Sequence, residues 1–192
     1  MDGPQTIKES NSLTEKMDLF NSCLLNRLKT LPRDPSLIVR PLNTNDYEKG
    51  FTQLLSQLTE VGSIGEDQFL SRFAKMKNAG GYYVIVIEDR NIGKIIGSAT
   101  LVVEQKFIHN CGLRGRLEDV VVNSTYRGQQ LGKILVMAVT QLSRQLKCYK
   151  LSLDCKDKLV PFYESLGFKL EPGNANQMNV RFPANQAEQS HL

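Results

Sequence analysis

The residues with the clearest potential for chemistry form a glycine-containing turn between an apolar run and a helix-like stretch. The stretch YRGQQLGKIL at 126–135 closely follows the valine run 120–122. The first N–H groups of a helix are unpaired and carry partial positive charge, so a turn of this kind can bind an anion. Arg127 and Lys133 add full positive charges at its edge. A phosphate-bearing ligand is therefore one interpretation of this turn.

Two common phosphate-binding motifs do not match these residues. The turn has neither the GxxxxGK[ST] spacing of a P-loop nor the GxGxxG spacing of a dinucleotide-binding turn. On their own, Gly128 and Gly132 are as compatible with a tight turn and close packing as with a ligand. The turn alone leaves a structural and a ligand-binding role both open.

Composition limits the classes of protein to which the chain can belong. Its 192 residues, of which 41% are hydrophobic, suffice for one core and a tail. A net charge of +4 suits a small anionic ligand and is too weak for a dedicated nucleic-acid arm, so we expect no nucleic acid partner. Four cysteines without a CxxC pair and only two histidines predict that no metal is bound.

The sequence favours a soluble protein of the cytoplasm. No stretch approaches the roughly 18 apolar residues that a membrane span needs, and the amino terminus does not have the pattern of a secretion signal. Unpaired cysteines are typical of a reducing compartment. The end Ser190-His191-Leu192 resembles the S-K-L peroxisomal address with His in place of Lys, which leaves a peroxisomal location as the alternative.

Hydrophobic periodicity predicts the elements that position the turn. Residues 1–36 are an extension, 37–182 the domain and 183–192 a polar tail. In the extension, three- and four-residue steps predict an amphipathic helix that docks on the domain or on a partner. Its apolar positions are Leu13, Met17, Phe20, Leu24 and Leu28.

Within the domain, strand-like and helix-like stretches follow the order β-α-α-β-β-β-α-β-α-β-β. The predicted strands start at 37 and cover 82–88, 92–103, 117–122, 149–153, 168–170 and 178–182. The predicted helices start at 43 or 44 and at 66, and cover 128–146 and 159–166. This order predicts an α/β (α+β) fold with a mixed sheet and helices on its faces.

Several of these stretches together resemble the GNAT acetyltransferase superfamily. The acetyl-CoA signature of that superfamily matches from Arg127 to Gly132, except that Gln130 stands at its middle Gly. The other matching stretches are LTEVG at 58–62, EQKFIH at 104–109, RLEDVVV at 116–122, CYKLSLDC at 148–155 and FYESLGF at 162–168. The resemblance implies the GNAT fold, a mixed central sheet flanked by helices, over about residues 37–182.

Within the superfamily, these stretches resemble the enzymes that acetylate an amino sugar phosphate. The resemblance implies transfer of the acetyl group of acetyl-CoA to the amine of D-glucosamine 6-phosphate, in the biosynthesis of UDP-N-acetylglucosamine. It implies direct attack of the neutral amine in a ternary complex, without an acyl-enzyme. It also implies a homodimer whose sugar-phosphate sites are completed across the interface.

The resemblance assigns the coenzyme to one strand end and the turn after it. An extended, amide-bearing pantetheine arm can pair with exposed strand N–H and C=O groups as a peptide does, and the turn would hold the pyrophosphate. The assigned positions are Val120, Val121, Val122, Arg127, Gly128, Gln129, Gln130, Leu131, Gly132, Lys133 and Tyr163.

Three side chains are implied to be catalytic. The phenol of Tyr163 can protonate a departing thiolate, although a core aromatic would have the same spacing. Glu118 suits an ammonium group that must lose a proton, and strand alternation places Asp119 on the opposite face. Asp154 is assigned to the sugar site, although it is equally suited to cap the helix predicted near Lys158.

The acceptor site is assigned to residues from several stretches. Lys and Arg pair well with phosphate dianions, which suits a 6-phosphate. The assigned positions are Thr59, Lys106, Phe107, Ile108, His109, Glu118, Asp119, Val120, Tyr149, Lys150, Asp154 and Arg181.

Two alternatives remain open. An enzyme of the same fold could acetylate another amine, although the basic residues would repel a cationic polyamine. A non-catalytic module could bind acetyl-CoA and use the amino-terminal helix as its output. We do not expect Cys111, Cys148 or Cys155 to be a nucleophile, because the commoner fate of cysteine is that of a small buried hydrophobic residue.

Overall fold

The computed structural model describes residues 16–173 and 178–180. These residues belong to two compact units, which divide between Leu153 and Asp154. The first unit contains the sheet and most of the helices. The second contains one short helix and the chain that follows it.

A five-stranded sheet lies at the centre of the first unit, with its strands in the order β1-β2-β3-β4-β5. The strands are β1 Leu37–Pro41, β2 Tyr82–Asp89, β3 Lys94–Gln105, β4 Leu113–Val122 and β5 Cys148–Ser152. Strands β1 to β4 pair antiparallel, and β5 pairs parallel to β4. The predicted mixed sheet flanked by helices is confirmed.

Among its described residues, this unit has three right-handed α-helices, α1 Phe51–Leu55, α2 Glu66–Ala79 and α3 Leu131–Gln145, and one helical turn, Ile108–Cys111, in which His109 and Asn110 have left-handed backbone. Helix α2 begins with Glu66 and Asp67 and has Lys77 in its last turn, charges that complement the helix dipole. Helix α3 has the most buried face, with Leu135, Val136, Val139 and Leu142 all fully buried. Its packing on the sheet supplies a large part of the core.

Gly115 on β4 allows α3 to approach the sheet closely. A Cβ at this position would lie 2.9 Å from the Ser143 Oγ of α3 and 3.1 Å from the Leu101 Cδ1 of β3. A side chain at this position would have to displace the Ser143 hydroxyl and the neighbouring leucines. The absence of a side chain therefore allows the carboxyl-terminal part of α3 to pack closely on β4.

Strands β4 and β5 pair over only part of their length. Their register starts at Leu113 opposite Cys148 and ends at Arg116 opposite Ser152, whereas β4 continues to Val122. Within the first unit, the edge of β4 beyond Arg116 is therefore not paired with β5. This open edge lies at the end of β4 that leads into α3.

The amphipathic helix predicted at the amino terminus is wrong over the residues that the structure describes. Between Lys16 and the start of β1, the chain contains one 3₁₀ turn, Ser22–Leu25, and no α-helix. The backbone is instead engaged by the domain, since Leu19 N–H donates to Leu42 O and Thr44 N–H donates to Met17 O. The docking interpretation is confirmed for this segment, because Leu19 and Leu25 are buried.

Two more contacts hold residues 16–30, which we call the amino-terminal strap, against the first unit. Phe20 packs edge-on against Tyr83 of β2, with ring centroids 5.2 Å apart. Lys29 N–H donates to Gln141 Oε1 of α3, and the Gln141 amide donates to Arg27 O. The strap therefore joins the β1 side of the sheet to α3.

The second unit contains a 3₁₀ turn, Asp157–Leu159, and the helix α4, Val160–Glu164. The two closing strands predicted at 168–170 and 178–182 are not present at residues 168–170 and 178–180. A strand needs a neighbouring strand to pair its backbone groups. These residues do not pack in that way, since the side chains of Leu170, Met178 and Val180 are 64%, 91% and 79% exposed. Residues 181 and 182 lie outside the described residues.

An ion-pair network joins the first two strands to the turn before α1. The guanidinium of Arg40 contacts Asp46 Oδ1 and Glu88 Oε2 at 2.7 Å each, and Lys49 Nζ contacts Glu88 Oε1 at 2.6 Å. Desolvation opposes ionisation of Glu88, but the hydrogen bonds from Lys49 and Arg40 outweigh it and lower the pKa of this carboxyl. The network therefore stabilises the fold while Glu88 is charged.

We predict that Leu19→Ala lowers the free energy of unfolding by about 2–4 kcal/mol, because it leaves a cavity under the strap. Leu19 is 4% exposed, whereas its neighbour Met17 is 42% exposed. Urea denaturation of Leu19→Ala and of the control Met17→Ala measures the difference. Equal stability of the two variants would contradict a structural role for the strap.

We predict that Glu88→Gln costs about 1–3 kcal/mol of stability near pH 7, because charged hydrogen bonds are lost. A lowered pKa stabilises the fold above the ordinary value near 4.5. That contribution is lost as pH falls through the lower pKa of the folded state. The gap between wild type and variant should therefore shrink in denaturation curves recorded near pH 4.

The control for this experiment is Glu48→Gln, which changes an exposed carboxylate on the same part of the chain. It should have little effect on stability at either pH. A gap for Glu88→Gln that does not change with pH would show that the charge of Glu88 is not what stabilises the network.

Candidate functional site

The predicted anion-binding turn lies between β4 and α3. A 3₁₀ turn, Ser124–Tyr126, follows β4 and ends at Arg127. The first intrahelical hydrogen bond of α3 runs from Ile134 N to Gln130 O. The N–H groups of residues 131–133 precede that bond, so they point out of the helix start where its dipole is positive. The 15-residue helix and the exposed Arg127 and Lys133 together suit an anion.

The predicted start of this helix at Gly128 is wrong by three residues, and the backbone gives the reason. Gly128 has φ 84 and Gln130 has φ 60, both in the left-handed region. A right-handed helix cannot include either residue, so it begins at Leu131. Gln130 adopts the conformation that favours glycine, the residue found at this place in the GNAT signature.

The open edge of β4 provides the second feature that suits a coenzyme. Val121 is buried with 6% exposure, and Val120 and Val122 are half-buried. Their side chains therefore contribute to packing while the backbone of the strand edge is not paired with β5. An extended ligand with amide groups can pair with backbone groups of this kind.

A β-bulge in β4 places the two adjacent carboxylates. Ser98 lies opposite Val121 and Thr100 opposite Glu118, so two residues of β4 face one residue of β3. Asp119 is one of the two and has φ 52, a left-handed conformation. Bulges of this kind redirect a side chain and are frequent next to active sites. The regular alternation of β4 is therefore interrupted at Asp119, and the prediction that Glu118 and Asp119 face opposite sides stays a prediction.

The two carboxylates have different surroundings. Glu118 Oε1 accepts a hydrogen bond from Arg116 Nε at 2.7 Å. Asp119 has its pKa raised above the usual value, first by desolvation of the carboxyl and then by the negative charge of Glu118. The pair therefore consists of one carboxylate held by a guanidinium and one that binds a proton more readily than an ordinary Asp.

Four of the five positions predicted to bind the 6-phosphate lie near the start of β4, namely Lys106, His109, Tyr149 and Lys150, and the fifth is Arg181. Lys106 N–H donates to Gly112 O, and Lys106 Nζ contacts Glu104 Oε2 at 2.5 Å. The rings of His109 and Tyr149 stack with centroids 4.1 Å apart. The remaining member, Lys150, lies opposite Arg114 in the β4–β5 register.

The connection between β3 and β4 is strained and exposed. His109, Asn110 and Cys111 all have positive φ, between 52 and 55. Left-handed backbone costs a residue with a side chain about 1–2 kcal/mol, and such strain often accompanies a functional site. Phe107 is 96% exposed and Ile108 is 63% exposed, so this loop presents apolar side chains to solvent.

The structure separates the carboxylates from the basic residues along β4. Lys150 pairs with Arg114, and Glu118 lies four residues further on. An extended strand covers about 13 Å over this interval, which is more than the width of one sugar ring. Within the first unit, the two sets of residues therefore form two clusters.

Thr59 lies in the turn after α1, where its N–H donates to Leu55 O at 3.3 Å, and it is exposed. A nearby cavity of about 480 Å³ includes none of the predicted site residues in its lining. It is lined by Tyr47, Glu48, Lys49, Gly50, Gln53, Leu54, Gln57, Lys94, Ile95 and Asn123.

The second unit contains the other two predicted catalytic residues. Tyr163 lies on α4 between Phe162 and Phe168, with ring centroids at 5.0 and 5.9 Å. Burial and the neighbouring Cys155 raise the pKa of its phenol, so it remains protonated at neutral pH. Asp154 is exposed and lies two residues before Lys156, the cap position of the following 3₁₀ turn.

Three further points concern the predicted site. Arg181 and the Ser190-His191-Leu192 end lie outside the described residues. Among residues 16–173 and 178–180, no group of His, Cys, Asp and Glu side chains could hold a metal ion, and the cysteines are free. Over the same residues, no helix is long and apolar enough to span a membrane.

Sequence reasoning missed Arg116, the partner of Glu118, and Arg114, whose Nη2 donates to Ser152 Oγ at 3.1 Å. Their spacing could have identified them, because residues 114, 116 and 118 share one face of a strand. It also missed the contact of Tyr126 with Asp89, for which the sequence contains no local pattern.

Comparison with known proteins agrees with this geometry. Residues 46–168 match the family described as "Acetyltransferase (GNAT) family". A Drosophila melanogaster protein named "Probable glucosamine 6-phosphate N-acetyltransferase" is 60% identical over 151 residues, which are 79% of this chain and 69% of that protein. An Arabidopsis thaliana protein named "Glucosamine 6-phosphate N-acetyltransferase" is 42% identical over 67% of this chain and 87% of its own length.

Solved structures give the same result. The crystal structure of glucosamine-6-phosphate N-acetyltransferase from Arabidopsis thaliana has a TM-score of 0.73 at 38% identity and covers 76% of this chain and 98% of that one. A Trypanosoma brucei acetyltransferase has a TM-score of 0.70 at 36% identity, with 76% and 99% covered. From its fold, its coenzyme-type turn and these relatives, the chain belongs to the acetyltransferase (GNAT) family.

Proposed function

We propose that this protein transfers the acetyl group of acetyl-CoA to the amine of D-glucosamine 6-phosphate, giving N-acetyl-D-glucosamine 6-phosphate and CoA. The observation that carries the choice of acceptor is the 60% identity, over 79% of the chain, with a relative named for this reaction. The product is an N-acetylated sugar phosphate, and the reaction is proposed to serve the biosynthesis of UDP-N-acetylglucosamine.

Acetyl-CoA supplies the thioester, and members of the GNAT family use it as cosubstrate. The residues at β4 and α3 fit such a ligand. The open β4 edge at Val120, Val121 and Val122 offers backbone groups to the pantetheine. The turn from Arg127 to Lys133 combines a helix start with two cations, which suits a pyrophosphate.

Glu118 and Asp119 are proposed to bind the acceptor at its amine. The amine must lose a proton before it attacks, because an ammonium has no free electron pair. A carboxylate beside it holds the cation in place and accepts the proton directly or through water. The bulge that directs Asp119 away from the regular strand supports this assignment.

Tyr163 is proposed to stabilise the leaving thiolate of CoA. Its raised pKa keeps the phenol protonated, so the hydroxyl can donate to a negative sulfur. Attack by the amine is proposed to be direct, within a ternary complex. An acyl-enzyme is not required, and Cys155 has a raised pKa, which disfavours the thiolate that a nucleophile needs.

A homodimer is proposed to complete the acceptor site. The basic cluster around Lys106, His109, Tyr149 and Lys150 begins about 13 Å along β4 from Glu118. A second copy could bring a further set of phosphate ligands to the carboxylates. The exposed Phe107 and Ile108 next to that cluster support an interface at this loop.

We predict that purified protein releases CoA thiol from acetyl-CoA when D-glucosamine 6-phosphate is added. Glucosamine without the phosphate and spermidine serve as matched acceptors, and both should give much slower release because they lack the phosphate. Equal release with spermidine would favour a different amine acceptor. Coenzyme binding without release for any amine would favour a non-catalytic module.

We predict that Tyr163→Phe lowers kcat by about 100-fold, the usual contribution of a positioned acid, and leaves KM for acetyl-CoA nearly unchanged. Phe keeps the ring contacts of α4 and removes only the hydroxyl. Thiol release at saturating substrates measures the effect, with Tyr82→Phe on β2 as the control. An unchanged kcat in Tyr163→Phe would exclude a role for the phenol in the reaction.

A further inference from the structure

The hydroxyl of Tyr126 connects the turn between β4 and α3 to the end of β2, which lies two strands away from β4 in the sheet. It donates to Asp89 Oδ2 at 2.6 Å, across 37 positions of the chain. Asp89 is the last residue of β2 and is 7% exposed. Its other oxygen, Oδ1, accepts the N–H of Asn91 at 2.9 Å. The carboxylate is therefore fixed by the β2–β3 hairpin before it receives the tyrosine.

The start of the turn is fixed at two more points. Asn123 N–H donates to Ile96 O of β3 at 2.8 Å. Ser124 N–H donates to Gln57 Oε1, beyond the end of α1, at 2.9 Å. These contacts hold residues 123 and 124, and Tyr126 is the last fixed residue before the exposed part of the turn.

Residues 127–130, which we call the exposed turn, lie between two anchors. All four are exposed, and a Cβ at Gly128 would have open space around it. On one side is Tyr126, and on the other is Leu131, which is 2% exposed. The left-handed Gln130 disfavours this conformation in an isolated chain. The conformation of the exposed turn therefore depends on its anchors.

We propose that Tyr126 is a positioning residue for coenzyme binding, because its hydrogen bond to Asp89 fixes the exposed turn in the conformation that presents its N–H groups and Arg127 to a pyrophosphate. The proposal rests on the proposed use of acetyl-CoA. It assigns no contact between Tyr126 and the coenzyme. The hydrogen bond acts through the exposed turn, because it raises the free energy of conformations in which Arg127 and the start of α3 move apart.

The hydrogen bond persists over the pH range of ordinary assays. Donation to Asp89 is the main cause that raises the pKa of Tyr126 to about 12. The phenol therefore remains protonated in neutral and mildly alkaline solution, and loss of its proton does not release the turn there. Substitution is the appropriate way to break the contact.

Tyr126→Phe removes the hydroxyl and retains the ring. Asp89→Asn retains the acceptor for Asn91 and replaces the charged acceptor of Tyr126 with an amide group, which leaves at most a neutral hydrogen bond. We expect each variant to weaken CoA binding by about threefold to tenfold, the effect of losing one hydrogen bond to a charged group. Titration calorimetry with CoA measures this without an acceptor. With acetyl-CoA as donor, KM should rise by a similar factor while kcat changes little.

A truncated donor separates positioning from general damage to the fold. Acetyl-pantetheine has the thioester and the pantetheine arm but no pyrophosphate. Its KM should be the same in wild type and in Tyr126→Phe, because the exposed turn has no pyrophosphate to hold. An equal rise in KM for both donors would overturn the proposal and assign Tyr126 a structural role.

Tyr47→Phe is the matched control, since it also removes one tyrosine hydrogen bond, from the hydroxyl to Ile64 O at 3.0 Å. It should leave CoA affinity unchanged. Unaltered CoA affinity in both Tyr126→Phe and Asp89→Asn would overturn the proposal. If the wild-type protein binds CoA but does not acetylate glucosamine 6-phosphate, the proposed function is wrong. The CoA affinities of the variants would still decide whether Tyr126 positions the exposed turn.

Discussion

The separation of β4 from β5 after Arg116 is the constraint on which the rest of the site depends. Backbone groups on a strand edge need partners, and an open edge is a liability for a folded protein. Here the open edge coincides with a bulge at Asp119 and leads directly into the turn before α3. An amide-bearing ligand can satisfy such an edge, which is the physical basis for proposing that the coenzyme binds there.

Left-handed residues lie near both ends of β4. Among the described residues, those with a side chain and positive φ are His109, Asn110, Cys111, Asp119, Gln130 and Lys147. Each costs about 1–2 kcal/mol relative to ordinary backbone, so the surrounding packing must compensate. The buried face of α3, which starts with Leu131 directly after Gln130, supplies packing beside that residue. The core therefore maintains conformations that the local sequence does not favour.

The sequence predicted the features that depend on residues close together in the chain, and it missed those that depend on distant residues. Alternating apolar residues and a polar turn determine the β2–β3 hairpin, and helical spacing with terminal charges determines α2, so both were predicted. Helical spacing alone misled at the strap, because Leu19 pairs its backbone with Leu42 instead. The bulge at Asp119 and the contact between Tyr126 and Asp89 depend on residues that are distant in the chain, so no short sequence pattern predicts them.

The two adjacent carboxylates on β4 are not equivalent, and their difference bears on the proposed proton transfer. Arg116 donates to Glu118, which compensates its charge and orients it. Desolvation and the charge of Glu118 raise the pKa of Asp119, and a carboxylate with a raised pKa is the stronger base. This difference fits the proposed roles, in which Glu118 holds the cationic amine and Asp119 can accept its proton.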